Sequence, residues 1–401
     1  VPLRPGLIRP PLLRFQQDGS ERHATWLELF FDLAFVAVIG QVSAQLVKSH
    51  AWGEFTWFFL LFIPLWWAWV GQAFYLSRFD ADDLSHRVTT FFQIVVLAIM
   101  GTTIDDAFAG NPTGFILGYV TLRCVLVGQY IYAGRFLPEA RRLTNRYAAG
   151  FSFAIACWLI SLALPSHLAP WLWMLGILID FATPFTANEE NVKIPPHAAH
   201  IPERFGLFTI IVLGESIIAG VISLGQAKFT PLGIAAGICG LLLACGTWWI
   251  YFEGVGGANE RAPSSVDDVG KYRVWLYGHL PLHGAMILGA LAVERAVLHP
   301  LDRFENHEAW VFPLGFTVAM LFMHVIYNTS VPRDMRRKHW KFTMPHNVFT
   351  VIGLAMIPVS TLMSSAYVVM VYLALMLGHV ALTLRGYPEE VNATPYASHS
   401  T

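Results

Sequence analysis

Ionisable side chains recur at helical spacing inside otherwise apolar stretches of this sequence. Glu28 and Asp32 are four residues apart in Thr25-Trp26-Leu27-Glu28-Leu29-Phe30-Phe31-Asp32-Leu33, so they share one helix face. Two carboxylates at that spacing repel unless a cation, a proton or an arginine intervenes. Gln41 and Gln45 extend the same polar stripe. Such a face can line an ion or proton path. It can equally cap the helix and pair with a basic residue such as Arg22 or Arg204. A second acidic run opens with Pro202-Glu203-Arg204 and reaches Glu215 twelve residues after Glu203. At that depth a short side chain cannot reach water, so Glu215 must pair, be protonated or face a cavity. Arg123 sits in the middle of another apolar stretch and calls for an acidic partner, with Glu215, Asp180, Asp32 and Glu28 as candidates. Asp180 precedes Phe181-Ala182-Thr183-Pro184, where the proline marks a broken helix. Asp105, Asp106, Glu253 and Glu294 fall near the ends of their stretches and rank lower.

The histidines point to weaker chemistry. His279 and His283 are four apart beside Pro281, His324 and Asn328 share a face, and His379 stands further on. His279, His283, His324 and a carboxylate could assemble a metal site. The His-x-x-x-His spacing lacks an internal glutamate, however, and hydrogen-bonded core histidines or a proton relay are the better reading. No metal and no cofactor are assigned. Gly254, Gly256 and Gly257 lack the Lys-Ser/Thr ending of a phosphate loop, and no Gly-x-Ser-x-Gly turn is present.

The elements that position these residues follow from composition. Apolar residues make up 55% of the 401 residues and charged residues only 13%, too few to cover a soluble globule of this size. The composition therefore describes an all-α polytopic membrane bundle. A net charge of -1 provides no case for a nucleic-acid partner. Cys124, Cys157, Cys239 and Cys245 lie in apolar stretches without CxxC spacing and read as buried free thiols. Residues 1–17 carry four prolines and three arginines, which reads as a short basic cytoplasmic tail rather than a signal peptide.

Twelve stretches could span a bilayer: 25–47, 55–76, 88–107, 113–134, 147–164, 168–185, 203–223, 230–252, 275–298, 310–329, 346–362 and 364–384. The fifth, sixth and eleventh are at the lower length limit for a roughly 30 Å hydrocarbon core. With that count, 21 of the 26 Lys and Arg fall on one side, leaving Lys48, Lys228, Arg295 and Arg303 on the other and Arg123 within a span. The positive-inside rule then puts both termini in the cytoplasm. Glycines within the spans suit close helix contact, and tryptophan clusters suit the interfacial belts.

The two halves also look alike. Leu137-Pro138-Glu139-Ala140-Arg141-Arg142 matches Val331-Pro332-Arg333-Asp334-Met335-Arg336-Arg337. Trp66-Trp67 matches Trp248-Trp249, Arg87-Val88 matches Arg273-Val274, and Met174-Leu175-Gly176 matches Met376-Leu377-Gly378. Four matches in one order predict two parallel six-helix repeats, 1–197 and 198–401.

Two stretches carry a family resemblance. Arg22-His23-Ala24-Thr25-Trp26-Leu27-Glu28-Leu29-Phe30-Phe31-Asp32-Leu33-Ala34-Phe35-Val36 resembles the opening signature of the bacterial low temperature requirement protein A family. Glu203-Arg204-Phe205-Gly206-Leu207-Phe208-Thr209-Ile210-Ile211-Val212-Leu213-Gly214-Glu215-Ser216 resembles its second. The resemblance implies an integral membrane protein associated with growth in the cold. It points to the same residues: Glu28, Asp32, Glu203, Arg204 and Glu215.

The leading functional expectation is a gradient-driven transporter or channel of the bacterial inner membrane. It would act on a proton, cation or small solute, with Glu28, Asp32, Arg123, Asp180, Glu203, Arg204, Glu215, His279, His283 and His324 along its pathway. The alternatives are a membrane-embedded enzyme acting on a lipid or apolar substrate, and a structural or sensory bundle linked to growth at low temperature. The lipid bilayer is the expected partner, and homo-oligomerisation is allowed by the sequence.

Overall fold

The computed structural model describes residues 10–13, 24–48, 52–80, 83–226, 230–254, 261, 263, 266–304, 308–330 and 340–386. Among them the regular structure is helical apart from one antiparallel ribbon, in which β1 (Leu12–Leu13) pairs with β2 (Phe79–Asp80), and one isolated bridge between Arg303 and Ser364. The basic tail at 1–17 apart from residues 10–13, Arg22, most of the glycine-rich 253–265 and the match at 331–337 lie outside the described residues.

The first set of helices comprises α1 (Trp26–Lys48), α2 (Trp52–Arg78), α3 (Leu84–Gly101), α4 (Ile104–Phe108), α5 (Thr113–Phe136), α6 (Arg141–Ser161), α7 (Ala169–Ala182) and α8 (Asn188–Lys193). The remainder are α9 (His200–Gln226), α10 (Pro231–Trp249), α11 (Val266–Leu298), α12 (Glu308–Ser330), α13 (Trp340–Ser360) and α14 (Ser365–Gly386). Each of the twelve expected stretches overlaps a helix, and the third overlaps both α3 and α4. Among the described residues nine helices are long and apolar enough to cross a membrane: α1, α2, α3, α5, α9, α10, α11, α12 and α14. The three that fall short, α6, α7 and α13, coincide with the stretches expected to be shortest. Helix α6 opens with Arg141, Arg142 and Arg146, α7 has only 14 residues, and the apolar part of α13 is confined to Asn347–Ser360.

Helix α3 shows why these are membrane-type helices. Val88, Phe91, Phe92, Val95 and Ile99 are exposed along one stripe, while Thr90 and Gln93 are buried. This is the reverse of a soluble amphipathic helix, and it suits a chain whose surroundings are hydrocarbon. Local signals set the ends. Asp83 caps α3 by accepting from His86 N at 2.8 Å, and Thr230 caps α10 ahead of Pro231 by accepting from Gly233 N at 3.2 Å. The expected third span of 88–107 is interrupted after Gly101, where the Thr102 and Thr103 hydroxyls bond back to the carbonyls of Ile99 and Met100. A separate short helix, α4, follows.

The chain packs as two compact units. The first contains 1–211 and 258–276. In it α5 packs on α6, α6 on α7, α1 on α2 and α3, and α2 on α5. Its core is aromatic, with Trp66, Trp69, Trp158, Tyr119, Tyr130, Phe31 and Phe35 fully buried. The second contains 212–257 and 277–401, and in it α12 packs on α13, α13 on α14, and α14 on α10.

Two expectations need correction. The cysteines are free but not buried: Cys124 and Cys245 are exposed and Cys157 and Cys239 half-buried. Apolar surroundings outside the bundle make an outward thiol inexpensive. The tryptophans also divide. Trp26 and Trp171 are exposed at helix starts as an interfacial belt requires, but Trp66, Trp67 and Trp69 lie in the core, where their large rings fill space between helices.

Candidate functional site: two buried arginine–aspartate centres

Thr25 and Glu28 open α1 as a capping box. Thr25 Oγ1 accepts from Glu28 N at 3.2 Å, and Glu28 Oε2 accepts from Thr25 N at 2.7 Å. Glu28 is buried, and its carboxylate also lies 3.2 Å from His200 Nε2, at the start of α9. Three residues into α9, Glu203 Oε2 accepts from Ala24 N at 3.1 Å. The N-termini of α1 and α9, which carry the two signature stretches, are therefore tied together from both sides.

One turn further into α1, Asp32 forms the first buried centre. Arg204 donates through Nε to Oδ2 at 3.3 Å and through Nη2 to Oδ1, a two-pronged pair. Trp69 Nε1 donates to Oδ1 at 2.7 Å. Both charged side chains are fully buried. The Trp69 ring is held by Phe205 and Phe208 at centroid distances of 4.9 and 4.1 Å. The two carboxylates four apart on α1 thus go to different partners, which offsets the repulsion their spacing implied. Among the described residues Arg204 Nη1 has no hydrogen-bond partner.

The second centre joins α5 and α7. Arg123 Nη2 donates to Asp180 Oδ1 at 2.5 Å, and Tyr119 donates its hydroxyl to Oδ2 at 2.7 Å. The guanidinium lies 4.1 Å from the centroid of Phe151. Asp180 was one of four candidate partners for Arg123. It reaches this place because α7 ends at Ala182 and Pro184 turns the chain into a 3-10 segment, Thr183–Ala187.

That turn and the link after it are clamped rather than free. Arg78 donates to Ile194 O at 3.1 Å and to Asn191 Oδ1 at 2.8 Å, and Tyr147 donates to the same Asn191 oxygen at 3.0 Å. Arg273 donates to Pro184 O at 2.8 Å and to Asn188, with Phe185 beneath it at 3.9 Å. The stretch at 188–202 is consequently a buried, hydrogen-bonded connection that sets the start of α9.

In the second unit the polar groups are sparser. Tyr251 Oη lies 2.9 Å from His279 Nε2, and the rings of His279 and His283 are 5.7 Å apart, both fully buried. His324 Nε2 lies 2.7 Å from Asn328 Nδ2 on the same face of α12. His379 stacks on Phe349 at 5.5 Å. Among the described residues no three His, Cys, Asp or Glu converge as metal ligands. Glu215 is half-buried on α9 and, among the described residues, makes no hydrogen bond or ion pair.

Several partners were not singled out from the sequence. Tyr119 stands four residues before Arg123 and the Thr25-x-x-Glu28 box is written in the chain, so both had a local signal. Trp69, His200, Asn191 and Tyr251 had none, because each acts on a residue distant in sequence.

These features define a helical protein of membrane type, with transmembrane helices and two buried arginine–aspartate pairs. The chain belongs to the bacterial low temperature requirement A protein family, whose model matches residues 23–382. A curated relative from Rhizobium meliloti (strain 1021), described as an uncharacterized protein, is 25% identical over 302 residues, covering 71% of this chain and 72% of the relative. No solved structure matches.

Proposed function

We propose that the protein is a gradient-driven transporter or channel for a proton, cation or small solute, with Glu215 as the ion-handling group. The observation that carries this reading is Glu215 itself. A carboxylate in an apolar helix is costly, and this one has no countercharge among the described residues. A proton or a cation must offset its charge. Asp32 and Asp180 are occupied by arginines, so in this reading they hold the scaffold while Glu215 exchanges its ion. Glu28, Glu203 and Arg204 set the junction of α1 and α9. His279, His283 and His324 supply polar groups near the path.

In this reading the helices make twelve spans in the bacterial inner membrane, with both termini cytoplasmic. The split of 21 of 26 Lys and Arg to one side supports that orientation. Two parallel repeats, 1–197 and 198–401, are supported by packing of the same kind in each half. The pairs α5–α6, α6–α7 and α2–α7 correspond to α12–α13, α13–α14 and α10–α14.

Purified protein in liposomes containing a pH-sensitive dye, with an imposed potassium diffusion potential and a panel of cations, tests this. Wild type is expected to carry flux, and Glu215→Gln to lower it by roughly tenfold or more, the loss of about 1.4 kcal/mol or more at the rate-limiting step. Absence of flux across the panel, or Glu215→Gln flux equal to wild type, would overturn it.

A further inference from the structure

The second unit contains an open cleft between α9, α10, α11, α12 and α14, with about 670 Å³ of empty space including its mouth. Its walls are aromatic and thioether: Phe316, Tyr372, Met286, Met320 and Met376. Among the described residues no charged side chain lines it. The hydroxyls that do have their protons already engaged. Ser216 donates to Val212 O at 3.2 Å, Thr247 to Leu243 O at 2.8 Å, and Tyr372 to Gly353 O at 3.0 Å. Gly220 is buried from the surroundings, yet a Cβ built there would meet no heavy atom within 4 Å. That combination is what a residue facing an internal gap shows.

The chemistry of the gap selects its guest. Water needs two to four polar partners to stay in a protein cavity, and these walls offer a few hydroxyl oxygens as acceptors with every hydroxyl proton already committed. A charged or hydrogen-bonding solute would be desolvated without compensation. Left empty, the lining side chains forfeit their dispersion contacts. Methionine-rich walls adapt readily to a flexible apolar chain. Next to Ser216 and Gly220, the residues Ile217, Ile218 and Val221 of α9 are exposed, as are Ile238 and Leu242 of α10 beside Gly237 and Leu241. The helices that build the cleft thus present apolar faces to the bilayer, where acyl chains are the solvent.

We propose that this cleft is a lipid site that takes one acyl chain of a membrane phospholipid. It stands apart from the transport reading, because occupancy can be measured on protein that carries no flux.

The experiment uses the full chain in phosphatidylcholine nanodiscs doped with a phospholipid bearing a photoactivatable diazirine on its acyl chain. Crosslinked residues are mapped by peptide mass spectrometry. The expected result is labelling at Met286 and Met320 above that at the lipid-exposed Val95 and Ile99 of α3. Gly220→Leu fills the gap and lowers cleft labelling roughly tenfold. Gly225→Leu, on the same helix with open space but outside the cleft, leaves it unchanged. Gly220→Val, with a shorter side chain, produces an intermediate loss and keeps the test decisive if leucine disturbs folding. Labelling at α3 serves as the folding reference in each sample. Equal cleft labelling in wild type and both Gly220 variants, labelling no stronger than at α3, or labelling only by a headgroup diazirine would each overturn the proposal.

Discussion

Asp32 shows how a charge is accommodated where water is absent. Its two oxygens take Arg204 and Trp69, and the side chains around them are aromatic. An ion pair of this kind contributes little beyond a well-packed apolar substitute, but breaking it is expensive because one charge is stranded. Asp32→Asn is therefore expected to cost about 3–5 kcal/mol by stranding Arg204. The double change Asp32→Leu with Arg204→Leu should recover part of that loss. Thermal unfolding in detergent micelles reads both; an Asp32→Asn protein that melts with wild type would show that the pair is not under this constraint. The pairing itself was half legible in the sequence. The repulsion between Glu28 and Asp32 called for a cation, a proton or an arginine, and Arg204 was one of two basic residues named. Choosing Arg204, and finding Trp69, required knowing that α1, α2 and α9 are neighbours. The same holds for Arg123, whose four candidate acids could not be separated by spacing within one helix.

The helices respond to signals of shorter range. Thr25 and Glu28 fix the start of α1, and Asp83 the start of α3, through bonds spanning three residues. Proline 184 stops α7 near Asp180. Interactions that close inside one turn are of the kind a sequence can show, although the start of α3 at Asp83 was not read from it. Close approach between helices is not of that kind. Gly71 of α2 faces Arg123, and a Cβ there would lie 2.7 Å from Leu126 Cδ2 and 2.8 Å from Arg123 Nη1, atoms confined by the bundle. Gly71→Ala is expected to destabilise by about 1–3 kcal/mol through overpacking and to displace the arginine. Gly53→Ala, in the same helix with nothing within 4 Å, should be neutral or slightly stabilising. Comparing the two melting temperatures in one detergent checks the point; equal shifts would mean that helix propensity, not contact, governs Gly71.

At the scale of the whole molecule the prediction concerns orientation. If the proposed twelve spans hold, their even number and the concentration of Lys and Arg on one side put both termini in the cytoplasm. Green fluorescent protein fused to either end should fluoresce, and alkaline phosphatase fused to either end should be inactive. A phosphatase-active C-terminal fusion beside a fluorescent N-terminal one would make the number of crossings odd. The three helices that are short or too polar, α6, α7 and α13, are where such a miscount would arise.

The sequence by itself determined the class of protein, its helical segments and several of the buried ionisable residues, Glu28, Asp32, Arg123, Asp180 and Arg204 among them. These follow from composition, hydropathy and contacts that close within a turn, all of which act along the chain. The tertiary structure decided which acid meets which arginine, and that the 188–202 link is clamped. It decided that Trp66, Trp67 and Trp69 are core rather than belt, and that Glu215 has no partner among the described residues. Each of those outcomes depends on which helices lie side by side. Charge attraction and ring packing between distant segments are set by that adjacency, and no periodicity within one helix encodes it.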